Sequence, residues 1–278
     1  MDINGQLSPS QTLELLKQLE HSPVKKLGQN FLVDSNIVRK SLELADVKKD
    51  DVVVEVGPGL GTLSGALLQA GAKVYAVELD KTLHAYLKEH FSQVENFSLI
   101  NADAVEYPLA SLPDEVSDFK IVANLPYAIS TPWLDKVLSD RLPSMMSLML
   151  QKEAALRFAA VGGSKEFSPI SICLSEAYDV SARHKVSASC FHPRPAVDSV
   201  LLALKRKECP FVFKPKTKEI MRYVFSKRRK QMLSIAKSAG EFSELLLAWL
   251  EQDKTLSPDI RPERIDSVHW KIFDGIVK

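Results

Sequence analysis

Val52-Val53-Val54-Glu55-Val56 runs directly into Gly57-Pro58-Gly59-Leu60-Gly61, and residues 62–70 then carry a helical pattern. A short apolar run bounded by glycines reads as a buried strand. A glycine-rich turn from strand to helix lets the backbone bend sharply and approach a ligand closely. The same alternation continues down the chain. Residues 73–77 carry another strand pattern, 81–90 another helix, and 97–101, 119–123 and 145–150 further strands, with helical patterns after the last two. Near-continuous apolar strands separated by helices predict a parallel sheet covered on both faces. Residues 178–186 and 199–204, joined by a Pro-rich loop, predict a hairpin that completes the sheet antiparallel at its edge. The expected fold class is α/β, with a Rossmann-like sheet.

The two ends of the chain differ from this middle. Ser8-Pro9-Ser10 followed by leucines at 13, 15, 16 and 19 predicts a short amphipathic helix, and a second helix is expected near Asp34-Ser35. Beyond Lys205 only helical patterns remain, at residues 216–225, 228–239, 241–250 and 262–276. We therefore expect an N-terminal helical extension over residues 1–24, a ligand-binding α/β domain over 25–206 and a small helical domain over 207–278. The start of the chain lacks the basic and apolar stretches of a secretory signal, and no apolar run reaches membrane-spanning length, so a cytoplasmic protein is expected. Three widely spaced cysteines, Cys173, Cys190 and Cys209, offer no metal-ligand spacing and read as small buried hydrophobes. No metal is expected. Met145, Met146 and Met149 read as part of a buried strand.

The glycine turn by itself is equally compatible with a nicotinamide cofactor, or with a tight turn that binds nothing. Glu78 narrows the choice, because an acidic side chain at the end of the second strand can accept hydrogen bonds from both ribose hydroxyls of an adenosine-containing ligand. The spacing is G-P-G-x-G, and Pro58 removes an amide that a pyrophosphate would use. Asp103-Ala104, after the third strand, can receive an adenine amine, although Asp at such a turn is more often a helix N-cap. Gly57, Glu78 and Asp103 at three successive strand ends together favour a methyl donor, S-adenosylmethionine, over a dinucleotide.

Asn124-Leu125-Pro126-Tyr127 follows the fourth strand. This motif suits methylation of a planar exocyclic amine, whose lone pair is delocalised into its ring. The Asn oxygen and the Pro126 carbonyl can accept both N–H bonds and favour a pyramidal nitrogen, while Tyr127 stacks on the base. The gain comes from orientation, and no strong general base is needed. The plain alternative is a Pro-terminated strand with a core tyrosine.

These motifs, with Gln29-Asn30-Phe31-Leu32, Val77-Glu78-Leu79-Asp80, Gln151-Lys152-Glu153, Phe191-His192-Pro193-Arg194-Pro195-Ala196-Val197-Asp198-Ser199 and Phe225-Ser226-Lys227-Arg228-Arg229-Lys230, resemble the rRNA adenine dimethyltransferase family in the family's order. The resemblance runs from about Lys25 to Glu263 and is strongest to the branch acting on small-subunit rRNA. It implies a class I S-adenosylmethionine-dependent methyltransferase sheet with a small C-terminal helical domain, and dimethylation of two adjacent adenines near the 3′ end of that rRNA. It also implies donor contacts at Asn30, Leu32, Gly57, Glu78, Asp103, Ala104 and Asn124, and implies that Phe191 shares the stacking of the target adenine with Tyr127. Phe191 can equally be a core residue. The implied partners are small-subunit rRNA and the immature small subunit, with no membrane, and a monomer is expected. Two departures stand out: Ala102 replaces a frequent glycine, and Phe167-Ser168-Pro169-Ile170-Ser171 replaces a Tyr-Gly-x-Leu-Ser stretch.

Three rivals stay open. One is the erythromycin-resistance type of the same fold, acting on large-subunit rRNA. Another is a binding protein that keeps the fold without needing catalysis, and the third is a dehydrogenase. The overall charge of +1 argues against a nucleic-acid partner only until it is resolved by segment. Residues 206–278 carry 16 basic and 10 acidic side chains, and residues 205–237 carry 12 against 2. Such a stretch can neutralise phosphates locally. Lys227, Arg228, Arg229 and Lys230, with Arg194 of the Pro-rich loop, are the expected RNA contacts.

Overall fold

A computed structural model describes residues 7–126 and 128–277 of the chain. The first half runs α1 (Pro9–Gln18), β1 (Phe31–Leu32), α2 (Ser35–Leu44), β2 (Val52–Val56), α3 (Thr62–Gln69), β3 (Lys73–Glu78), α4 (Lys81–His90), β4 (Phe97–Asn101), β5 (Lys120–Asn124), α5 (Ser130–Val137) and β6 (Met145–Gln151). Then come α6 (Lys152–Phe158), α7 (Pro169–Ala177), β7 (Tyr178–Val186), β8 (Phe191–His192), β9 (Ser199–Arg206), α8 (Pro215–Ser226), α9 (Met232–Lys237), α10 (Ser243–Gln252) and α11 (Ser267–Ile276). These elements fall into two compact units, one of residues 1–155 and 180–206, the other of residues 156–179 and 207–278. The second unit takes in residues 156–179, a segment that the sequence pattern assigns to the first domain.

The first unit is built on a seven-stranded sheet in the order β4-β3-β2-β5-β6-β9-β7. β4 through β6 pair parallel, and β9 runs antiparallel to β6 from Met145 opposite Lys205 to Gln151 opposite Ser199. β7 pairs with β9 at the edge of the sheet, so the two strands expected there are neighbours. Val53, Val54 and Val56 are at most 1% exposed, as are Ile121 and Val122 of β5, so the central strands are dry on both faces. Helix ends follow local chemistry. Asp34 caps α2 through the amides of Asn36 and Ile37, and Asp80 caps α4 through those of Thr82 and Leu83. From β2 the chain moves to β3 and β4, then crosses back to place β5 on the other side of β2. The crevice outside the carboxyl ends of β2 and β5 is therefore the topological switch point, where open α/β sheets bind ligands. Val56-Gly57 and Asn124 end those two strands.

The second unit contains helices only beyond residue 207 among the described residues. Its core stacks Trp249 on Trp270 and on Phe273, with ring centroids 4.7 and 4.8 Å apart, all three rings fully buried. Two helix expectations change here. The basic run at 227–230 is a turn, and α9 begins only at Met232. Four adjacent like charges disfavour a further helical turn, and the Arg228 guanidinium is held by Glu263. The stretch 262–276 splits into a 3-10 turn at Pro262–Arg264 and α11, because Ile265 is extended and Asp266 starts a new N-terminus. Of the cysteines, Cys173 is buried, Cys190 intermediate and Cys209 exposed, so the last is not a buried hydrophobe.

Candidate active site

The glycine turn is shaped by close neighbours. Gly57, Gly59 and Gly61 have φ of 65°, 62° and 80°, values that L side chains rarely adopt. A Cβ on Gly59 would lie 3.1 Å from Phe31 Cδ1, and one on Gly61 would lie 2.9 Å from Leu87 Cδ2. Gly61 opens α3 with no side-chain cap, so amides of the first turn keep their positive end toward the cavity that Thr62 and Leu63 line.

Three carboxyl groups surround this turn. Glu78 is 7% exposed, and its Oε2 accepts the Gly59 amide at 3.1 Å while Oε1 accepts the Asp80 amide at 2.9 Å. Burial pushes its pKa up, and these backbone donors pull it back. Glu55 is 1% exposed and accepts the Ser64 hydroxyl at 2.6 Å. Burial, opposed by that hydrogen bond and reinforced by the charge of Glu78, pushes the Glu55 pKa up to about 8, so it is protonated at neutral pH. Asp103 accepts the Val105 amide on Oδ1 at 2.8 Å and the Glu106 and Tyr107 amides on its backbone oxygen. It therefore anchors a turn and lines the cavity at once. Asn101 ties the ends of β3 and β4 together, donating to the carbonyls of Glu78 and Leu79 at 2.8 and 3.1 Å.

On the other side of the switch point, Asn124 Nδ2 donates to the Asn30 carbonyl at 3.0 Å. A carbonyl only accepts, so this contact orients the amide and turns Oδ1 away from Asn30. The Pro126 carbonyl accepts the Ile129 amide at 3.2 Å and retains a second lone pair. Leu125 is 1% exposed, and its amide donates to Met149.

One cavity collects Asn30, Leu32, Gly57, Glu78, Asp103, Ala104, Asn124, Leu125 and Pro126. Tyr127 lies outside the described residues. Phe191 does not line the cavity: its ring is 3% exposed in the core cluster with Leu32, Ile37, Val38 and Leu201, and β8 pairs it with Leu32. Of the two roles open to it in the sequence, the structure puts the ring in the core, and stacking on a base would require it to leave. Among the expected RNA contacts, Arg194, Lys227, Arg229 and Lys230 are exposed. Arg228 is half-buried and donates from Nε and Nη2 to Glu263 Oε2 at 3.1 and 2.9 Å. Sequence reading missed Glu55 and the orienting role of Asn30. For Glu55 there was a clue, a lone carboxyl in a valine strand, which is costly unless it is partnered or neutral.

The profile of the ribosomal RNA adenine dimethylase family matches residues 21–255. The chain belongs to that family. It is 54% identical over 270 residues to ribosomal RNA small subunit methyltransferase A of Opitutus terrae, covering 95% of this chain and 97% of that protein. The same-named protein of Clostridium botulinum is 36% identical over 231 residues, covering 82% and 84%. Among solved structures, a dimethyladenosine transferase from Plasmodium falciparum superposes with a TM-score of 0.70 at 25% identity, covering 87% of this chain and 95% of that one. The 23S rRNA methyltransferase ErmE superposes with a TM-score of 0.62 at 23% identity, covering 89% and 99%, a likeness of fold. The seven-stranded sheet of this dimethylase is thus a class I methyltransferase sheet, and its glycine turn and Asn124-Leu125-Pro126 line one crevice.

Proposed function

We propose that this family member dimethylates the N6 amines of two adjacent adenosines near the 3′ end of small-subunit rRNA. The observation that carries the reading is that Asn124 belongs to both halves of the site: it closes the cavity shared with Glu78 and Asp103 and heads the acceptor motif. The residues fit S-adenosylmethionine. Glu78 is placed for the ribose hydroxyls, Asp103 and Ala104 for the adenine, the uncapped first turn of α3 for the carboxylate, and Asn30, Leu32 and Gly57 for the walls. When bound, S-adenosylmethionine supplies an electrophilic methyl group on a sulfonium.

The chain's own part is positioning. Asn124 Oδ1 and the Pro126 carbonyl accept the two N–H bonds of the target amine and turn its lone pair toward the donor. Both hydrogen bonds strengthen as the nitrogen becomes positive, which favours the transition state over the ground state. The methylated ammonium is acidic enough to lose its proton to water. Leu125 fixes the backbone between these acceptors, Tyr127 offers a stacking face, and Phe191 joins it if its ring swings out of the core. Each adenine must leave its stack to reach the site. Arg194, Lys227, Arg229 and Lys230 are proposed phosphate contacts, and residues 207–278 contribute most of the RNA-binding domain. In this reading the working unit is a monomer. Its substrate is the immature small subunit, which places the work in the cytoplasm.

Incubation with labelled S-adenosylmethionine and immature small subunits, followed by nucleoside analysis, tests this. Dimethyladenosine is expected in small-subunit rRNA, with Asn124→Ala lowering kcat by about a hundredfold. Absence of dimethyladenosine from small-subunit rRNA, or an Asn124→Ala rate equal to wild type, overturns the reading.

A further inference from the structure

The family match begins at residue 21, so α1 lies outside it. Yet α1 is firmly built. Ser8 forms a capping box with Gln11, and Leu16 packs in an apolar cluster with Phe31, Leu60 and Leu83. These partners belong to three parts of the donor site: β1, the glycine turn and α4. Leu16, Phe31, Leu60 and Leu83 are all less than one-tenth exposed.

A polar path runs beside this cluster. His21 Nε2 lies 3.0 Å from Gln29 Oε1, which also accepts the Val24 amide at 2.7 Å. Gln29 Nε2 donates to Asp80 Oδ2 at 2.9 Å. An oxygen that already accepts from an amide and faces a ring nitrogen makes His21 Nε2 the donor. His21 also stands 3.8 Å from Asp80 Oδ2, with both side chains nearly buried. Asp80 in turn donates its amide to Glu78 Oε1. The path thus reaches from the segment after α1 to the carboxylate proposed for the donor ribose.

Between these anchors, residues 28–32 line the cavity, and the Asn30 carbonyl holds Asn124. This wall has little secondary structure of its own, a two-residue strand after a 3-10 turn. A segment with so few local bonds samples other arrangements unless something outside it selects one.

We infer that α1 and His21 form a clasp that seats the 28–32 wall of the donor site, Leu16 through the apolar cluster and His21 through Gln29. They are positioning residues and touch neither donor nor acceptor. The inference rests on the proposed donor site. Its consequence is a population effect. If the clasp is lost and the wall is seated in about one molecule in ten, apparent donor affinity falls about tenfold. The rate at saturating donor is little changed, because bound donor reseats the wall.

The test uses the full chain with His21→Ala, His21→Gln and Leu16→Ala, titrated calorimetrically with S-adenosylhomocysteine and assayed with S-adenosylmethionine and small subunits. For His21→Ala we expect about a tenfold weaker Kd and a similar rise in the donor KM, with kcat within about twofold of wild type. His21→Gln keeps an N–H donor toward Gln29 and should recover most of the loss. Leu16→Ala should shift affinity the same way, and thermal melting without ligand reports whether it folds. The His21 variants decide the matter if Leu16→Ala does not. Folded His21→Ala protein that binds S-adenosylhomocysteine like wild type, or loses kcat alone, overturns the clasp. A wild-type chain that binds none overturns the donor-site reading and the clasp with it.

Discussion

In β2, Glu55 stands among valines with its carboxyl beside the Ser64 hydroxyl, 2.6 Å away. Its ordinary pKa of 4.5 rises to about 8 in the fold. Between those values the unfolded chain ionises the group while the folded chain keeps its proton. Stability contributed by this group is therefore present at low pH and falls by about 1.4 kcal/mol per pH unit as pH rises through the window. Glu55→Gln keeps an acceptor for Ser64 and removes the titration. Melting temperatures from about pH 5 to about pH 8 should fall more steeply in wild type than in Glu55→Gln. Parallel slopes would mean that Glu55 does not carry its proton in the folded state. At this scale much of the cavity lining was legible in the sequence: Glu78, Asp103 and Asn124 were readable because each lies at the end of a strand or just beyond it, and strand ends follow from apolar runs. Phe191 was not readable. A ring beside a Pro-rich loop suits a core or a base equally, and only the pairing of β8 with β1 turned it toward Leu32.

The elements around the glycine turn are held by contacts as much as by conformation. Gly61 combines a left-handed backbone, which costs an L residue about 1–2 kcal/mol, with a Cβ position 2.9 Å from Leu87 Cδ2. Gly61→Ala should therefore destabilise the protein by about 2–4 kcal/mol. Phe91 Cε2 would stand 3.0 Å from the same Cβ, so Leu87→Val relieves only part of the clash, and the double variant should lose about 0.5–1 kcal/mol less than the sum of the two single losses. Urea midpoints measure this, and strict additivity would show that the approach of Leu87 plays no part in selecting glycine. The helix pattern of residues 81–90 was legible in the sequence, but its approach to Gly61 was not. The basic run shows the reverse case. Its composition suited a helix face, and the ion pair of Arg228 with Glu263, thirty-five residues away, belongs to a turn.

For the whole molecule, charge is separated by unit. The first unit carries 19 basic and 22 acidic side chains, the second 17 and 13. Fewer of these cations face water than the count suggests. Arg206 donates to the Leu142 carbonyl, Lys214 to the carbonyl of Asp274, and Arg228 to Glu263. Arg229 and Lys230 are exposed. Replacing both with Glu should weaken RNA binding and lower the slope of log affinity against log salt by about 1–2, leaving S-adenosylhomocysteine affinity unchanged. An unchanged slope would remove this turn from the RNA surface. Arg228→Glu is the wrong probe, since it places two carboxylates together and disturbs the fold.

The sheet, its pair of edge strands, the glycine turn and the residues at strand ends were all legible in the amino-acid order, because they depend on local periodicity and backbone chemistry. The folded chain was needed to show that residues 156–179 group with the C-terminal helices, that α1 packs on the glycine turn, and which charges are engaged. Those outcomes depend on contacts between segments far apart in the chain, and no local pattern encodes which distant carbonyl or carboxylate a side chain will meet.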